Sequence, residues 1–125
     1  FDTGYETTEK YFSEYFPTKR KKLLEKYEAL IQYIYRFQKD FNKSNILNAY
    51  LELCETFVFL CEEKQYIDLI IYKTIVELKE IFSKNYKSVN FFGFKSAEIN
   101  NKENVSKYIL KTVKEITLKI KELKD

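Results

Sequence analysis

The sequence predicts an all-α protein, an up-and-down helical bundle of four long helices plus a short N-terminal helix. Three observations carry this. Apolar residues recur at spacings of three and four along most of the chain. Only two glycines and one proline interrupt 125 residues. Lys, Glu, Leu and Ile are plentiful, which favours helix over strands and turns.

The short first helix is expected over 3–16, where Thr3 and Glu6 resemble a capping box. Tyr11, Phe12, Tyr15 and Phe16 would share one face, and Pro17 is expected to stop it. The first long helix, 18–41, has the clearest pattern: Leu23, Tyr27, Leu30, Ile34, Phe37 and Phe41, spaced 4, 3, 4, 3, 4. Leu24 and Ile31 widen that stripe, as a bundle helix requires. A turn at 42–45 follows, with Ser44 or Asn45 as the next N-cap.

The second long helix, 46–62, is expected to face inward through Leu47, Tyr50, Cys54, Phe57 and Cys61. It is apolar around much of its circumference, with Leu51, Leu53, Val58 and Leu60 beside that seam. The join at 62–65 has no Gly or Pro, and a tight helical hairpin is favoured there over one continuous helix. The third, 66–84, turns Ile67, Ile71, Ile75, Leu78 and Phe82 inward, with Lys73, Glu77, Glu80 and Lys84 in solvent. The last, 102–124, repeats the seam through Ile109, Val113, Ile116, Ile120 and Leu123, with Asn100 and Glu103 marking its start.

Residues 85–101 are expected to be irregular and hold the oddest stretch, Phe91-Phe92-Gly93-Phe94. Three phenylalanines in a polar loop read first as a plug, pinned over an open bundle end or over Phe59. The second reading is an exposed docking element. Phe59 falls on the outer stripe with Glu52, Glu55 and Glu62, where an exposed aromatic would anchor a protein interface.

The length fits one domain, 1–125, able to bury a core without disulfides or metals. The chain starts at Phe1 and has no Met, so it is expected to be excised from a longer chain. No apolar run is long enough for a membrane span. Cys54 and Cys61 would lie about 10 Å apart on one helix, too far for a disulfide. They are expected to be buried free thiols, which leans weakly towards an intracellular setting.

No histidine, nucleophile–base pair, glycine-rich phosphate loop or metal-ligand spacing is present in the sequence. The expectation is therefore no catalytic residue, no metal, no cofactor and no enzymatic activity. Two basic groups stand out against a net charge of +3. Lys19, Arg20, Lys21 and Lys22 are expected in a helix's first turn, where free amides and cations together suit an anion. Lys107, Lys111 and Lys114 form a stripe on the last helix. The favoured function is a non-catalytic interaction module within a larger protein or assembly, with a protein partner. The alternative is a basic nucleic-acid-binding accessory domain using 19–22 and the last helix.

Overall fold

The computed structural model describes the backbone of residues 2–125 and the side chains of residues 18–125. Its first element corrects the sequence reading. Instead of two helices separated at Pro17, one helix, α1, runs Asp2–Asn42. A proline removes one backbone hydrogen bond and crowds the preceding turn, a local cost of about 3 kcal/mol that need not end a helix. The aromatic face expected of Tyr11, Phe12, Tyr15 and Phe16 lies outside the described side chains.

From Tyr27 onward the seam of α1 behaves as its spacing predicts. Tyr27, Leu30, Ile34, Phe37 and Phe41 are all buried, and Leu23 is half-buried. The helix ends in a turn where Ser44 adopts φ 61 and the Asn45 N–H donates to the Asp40 carbonyl at 2.9 Å. Helix α2 (Ile46–Glu62) follows, with Asn45 at its N-cap position. The chain then turns through a 3-10 segment, Lys64–Tyr66, into α3 (Leu69–Asn85). The tight hairpin is thus the arrangement found at 62–65, although α3 starts at Leu69 rather than 66. Asp68 caps α3 by accepting from the Ile70 N–H at 3.3 Å. The Asp68 N–H donates in turn to the Tyr27 hydroxyl at 2.6 Å, tying the start of α3 to α1.

The second correction is the segment after α3. It is a β-hairpin, β1 (Tyr86–Phe91) paired antiparallel with β2 (Phe94–Ile99). Phe91 pairs with Phe94, so Phe92 and Gly93 form the turn, at φ 50 and φ 82. Positive φ at both central residues matches the right-handed twist of the flanking strands. At the stem the Asn100 N–H donates to the Asn85 carbonyl at 2.8 Å. Asn101, at φ 52, then leads into α4 (Lys102–Lys124), so the N-cap is Asn101 rather than Asn100.

Consecutive helices alternate in direction. One core cluster joins Phe37 and Phe41 at the end of α1, Ile46 and Ala49 at the start of α2, Phe82 at the end of α3 and Val105 at the start of α4. A second gathers Tyr27 and Ile34 of α1, Leu60 of α2, Ile71 and Ile75 of α3, and Ile116 of α4. Helix α1 packs closely on both α2 and α4, and α4 packs on α3. The hairpin leans on α2 through β2, with Ala97 buried and Tyr86 and Ile99 packed against the first cluster.

The third correction concerns α2. Its buried residues are Ile46, Ala49, Leu53, Thr56 and Leu60, one position away from the expected seam. Leu47 and Phe57 are half-buried, Tyr50 is 38% exposed, and both cysteines are exposed rather than buried. Two stripes of the same period therefore run along this helix, and the inner one contains Ala49 and Thr56. Alanine lets α1 approach closely. The Thr56 hydroxyl donates to the Glu52 carbonyl at 2.8 Å, so its burial leaves no polar group unpaired. Hydrophobic period alone does not choose between two such stripes.

Candidate protein interface

A two-residue turn leaves its flanking side chains with nothing beyond them to pack on. Phe91, Phe92 and Phe94 are accordingly 67%, 87% and 76% exposed. The Phe91 and Phe92 rings meet edge to face, 4.5 Å apart. This overturns the plug reading and leaves the exposed element. The pairing register explains why. Tyr86 pairs with Ile99 and Ser88 with Ala97, and these share the face that contacts the bundle. Phe91 and Phe94 fall on the opposite face because side chains alternate along a strand.

Phe92 is unusual twice over. A left-handed backbone costs a residue with a side chain roughly 1–2 kcal/mol, and bulky residues rarely adopt it. Asn, Asp or Gly would suit this position in a hairpin turn. The flanking positions hold Asn90 and Lys95, so the aromatic tip is rimmed by polar residues.

Phe59, the other expected interface residue, is elsewhere. It is half-buried and packs beside Tyr33 of α1, ring centroids 5.2 Å apart, at the cluster away from the hairpin. It therefore joins neither the tip nor a plug. Nearer the hairpin base, Tyr50 lies 4.9 Å from Tyr86 and stacks at 6.4 Å on Phe82. Beside them a shallow pocket of about 260 Å³ opens between α2 and α3, lined by Tyr50, Leu53, Cys54, Phe57, Lys79 and Ser83. Sequence reasoning missed this pocket because its α2 walls were assigned to the interior.

The two basic groups are not brought together. Lys19, Arg20, Lys21 and Lys22 lie within α1, many residues after its start, so no free helix-start amides accompany them. Lys22 sits 5.1 Å from the Tyr66 ring centroid. Its hydrogen bond to the Tyr66 hydroxyl lowers that phenol's pKa and raises the ammonium's. Lys19 shares a shallow cleft with Lys119. Lys107 and Lys111 instead line a cleft with Glu77, and Lys111 pairs with that carboxylate at 3.5 Å. Lys114 is exposed farther along α4.

One acidic contact is half-buried. Glu52 turns towards α1, where its carboxyl lies close to that of Asp40. Burial pushes its carboxyl up to about 7, and the contact with Asp40 and the charge of Glu55 add to this. Its Oε2 is buried with no hydrogen-bond partner among the described residues. A protonated carboxyl is the form such a site accommodates.

Among the described residues, no group of three or more His, Cys, Asp or Glu side chains could hold a metal ion. No described helix is long and apolar enough to cross a membrane. No family model, no curated protein and no solved structure matches the chain.

Proposed function

We propose that this domain is a non-catalytic interaction module that grips a protein partner with the aromatic tip of its hairpin. The observation that supports this reading is Phe92, which is 87% exposed while held at φ 50. Nothing in the turn requires a phenylalanine, and two physical penalties oppose one. Binding energy in protein interfaces concentrates in a few aromatic anchors, and Phe91, Phe92 and Phe94 form a compact set of three. The bundle supplies a rigid base, since the stem is fastened to α2 through Ala97.

The test is affinity capture from the cells that make the protein, using wild type, a Phe92→Asn/Phe94→Ser variant and a Lys19→Glu/Lys22→Glu variant. The expected result is a protein retained by wild type and by the charge variant, and lost with the hairpin variant. An apolar contact also keeps that protein at about 0.5 M salt, where phosphate-mediated binding weakens steeply. Retention unaffected by the hairpin variant overturns the proposal. So does recovery of nucleic acid that disappears with the charge variant.

A further inference from the structure

The outward faces of α2 and α4 complement each other. On α2, Leu51 and Val58 are 52% and 57% exposed, and the thiols of Cys54 and Cys61 lie beside them. Leu51, Cys54, Val58 and Cys61 follow spacings of 3, 4, 3, the pattern of a helix-packing seam. Glu55 and Glu62 flank that seam, and α2 carries no lysine or arginine. On α4, Lys107, Leu110, Lys111, Lys114, Leu118 and Lys121 are all exposed. At about 100° per residue they fall within roughly 100° of arc, opposite the buried side of the helix.

We infer that the outward face of α4 on one copy docks onto the outward face of α2 on another, so that the chain self-associates. Charge selects this pairing over its alternatives. An α2 face against a second α2 face sets Glu55 and Glu62 among other glutamates. An α4 face against another α4 face sets lysines against lysines. Only the unlike pairing puts the carboxylates beside Lys107, Lys111, Lys114 and Lys121 and leaves the apolar residues in register. Leu51 and Val58 stand about 10 Å apart along their helix axis, and Leu110 and Leu118 about 12 Å apart along theirs. The two faces cannot meet within one copy, because α1 lies between α2 and α4 and packs on both.

Such a contact is heterologous. The docked pair keeps one free face of each kind, α2 on one copy and α4 on the other, so association propagates into chains or closes into a ring. Two leucine-sized contacts and a few exposed ion pairs make it weak and dependent on concentration and salt.

The test uses sedimentation under reducing conditions, from about 10 µM to about 1 mM protein, the range of a weak interface. One variant, Leu51→Lys/Val58→Lys, disables the α2 face; another, Lys114→Glu/Leu118→Glu, disables the α4 face. All four positions are solvent-exposed, and unchanged melting temperatures confirm that both variants fold. The weight-average mass of wild type should at least double across the range, and the rise should shrink in high salt. Each variant alone should remain monomeric. An equimolar mixture should form a 1:1 dimer and stop there, because each variant supplies the face the other lacks. Wild type that stays monomeric at the highest concentration overturns the inference. So does a single variant that still associates, or a mixture that does not. The Phe92→Asn/Phe94→Ser protein should self-associate like wild type, and loss of association there would assign the contact to the hairpin instead.

Discussion

At one end of this molecule two sets of three phenylalanines meet opposite fates. Phe37, Phe41 and Phe82 are fully buried, with rings 5.5 to 6.5 Å apart. Phe91, Phe92 and Phe94, joined to the same end by the hairpin stem, stand in solvent. Side-chain chemistry is identical, so backbone geometry makes the difference. Phe37 and Phe41 are four apart on a helix, which puts both on one face. The other three surround a two-residue turn on the strand face that points away from the bundle. What an apolar residue contributes to stability is decided by where the backbone aims it.

The sharpest way to break this contrast is a pair of truncations. Phe82→Ala should cost about 3–5 kcal/mol in chemical denaturation, the range for emptying a large aromatic site in a core. Phe92→Ala should change stability by less than about 0.5 kcal/mol, as for surface positions in general. Equal losses in the two variants would mean the tip is packed after all.

A smaller effect tests whether the buried aromatics at the opposite end also hold the fold through polar contacts. Tyr27→Phe removes the acceptor for the Asp68 N–H while keeping the ring. Loss of about 1–3 kcal/mol is expected, the cost of stranding a partly buried donor. No loss would show that solvent reaches this amide.

The Glu52 carboxyl gives a pH signature at the hairpin end. Its folded-state value, about 7, lies above the ordinary 4.5. Stability should be greatest below the unfolded value and fall as pH rises from about 4.5 to about 7. With solvent screening of this partly exposed group allowed for, a loss of about 1 kcal/mol is reasonable. Thermal melts across that range should show the decline in wild type and a flatter profile in Glu52→Gln. Asp40, Glu55 and Arg36 also surround the site. A profile unchanged by Glu52→Gln would show that Glu52 is not the source of the decline.

The mildest change should act in the opposite direction. Phe92→Asn puts a residue suited to a left-handed turn where a bulky one is strained, so stability should hold or rise by up to about 1 kcal/mol. A clear loss would mean that the Phe92 ring supports the hairpin through Phe91.

Much of the bundle was legible. The seams of α1 and α3 each held one dominant apolar stripe, so period set their orientation, while in α4 Ile109 and Ile116 are buried and Val113, Ile120 and Leu123 are half-buried. In α2 two apolar stripes competed, and the one carrying the aromatic rings and thiols was not the one buried. Choosing between them required knowing that Ala49 and Thr56 allow close packing. Pro17 misled because its cost is finite. The hairpin was missed because Phe-Gly is not a standard two-residue turn signal, and because two Lys-Ser pairs obscure the alternation. Tyr86, Val89, Phe91, Phe94 and Ile99 were the available strand signal. The aromatic tip was visible as a composition anomaly, but its exposure depended on the register.

The hairpin stem closes with the Asn100 N–H on the Asn85 carbonyl, so the ends of α3 and α4 are held together by the first rung of a ladder. Residues 86–99 thus act as an antenna rather than a spacer. Its length can change without moving the helices it joins. Adding or removing one cross-strand pair above Ala97 reverses the face on which the phenylalanines lie, while changing two pairs restores it, because strand side chains alternate. Reach and aim at the tip are therefore set by the parity of inserted residues. Relatives or designed variants could retune them while leaving the bundle untouched.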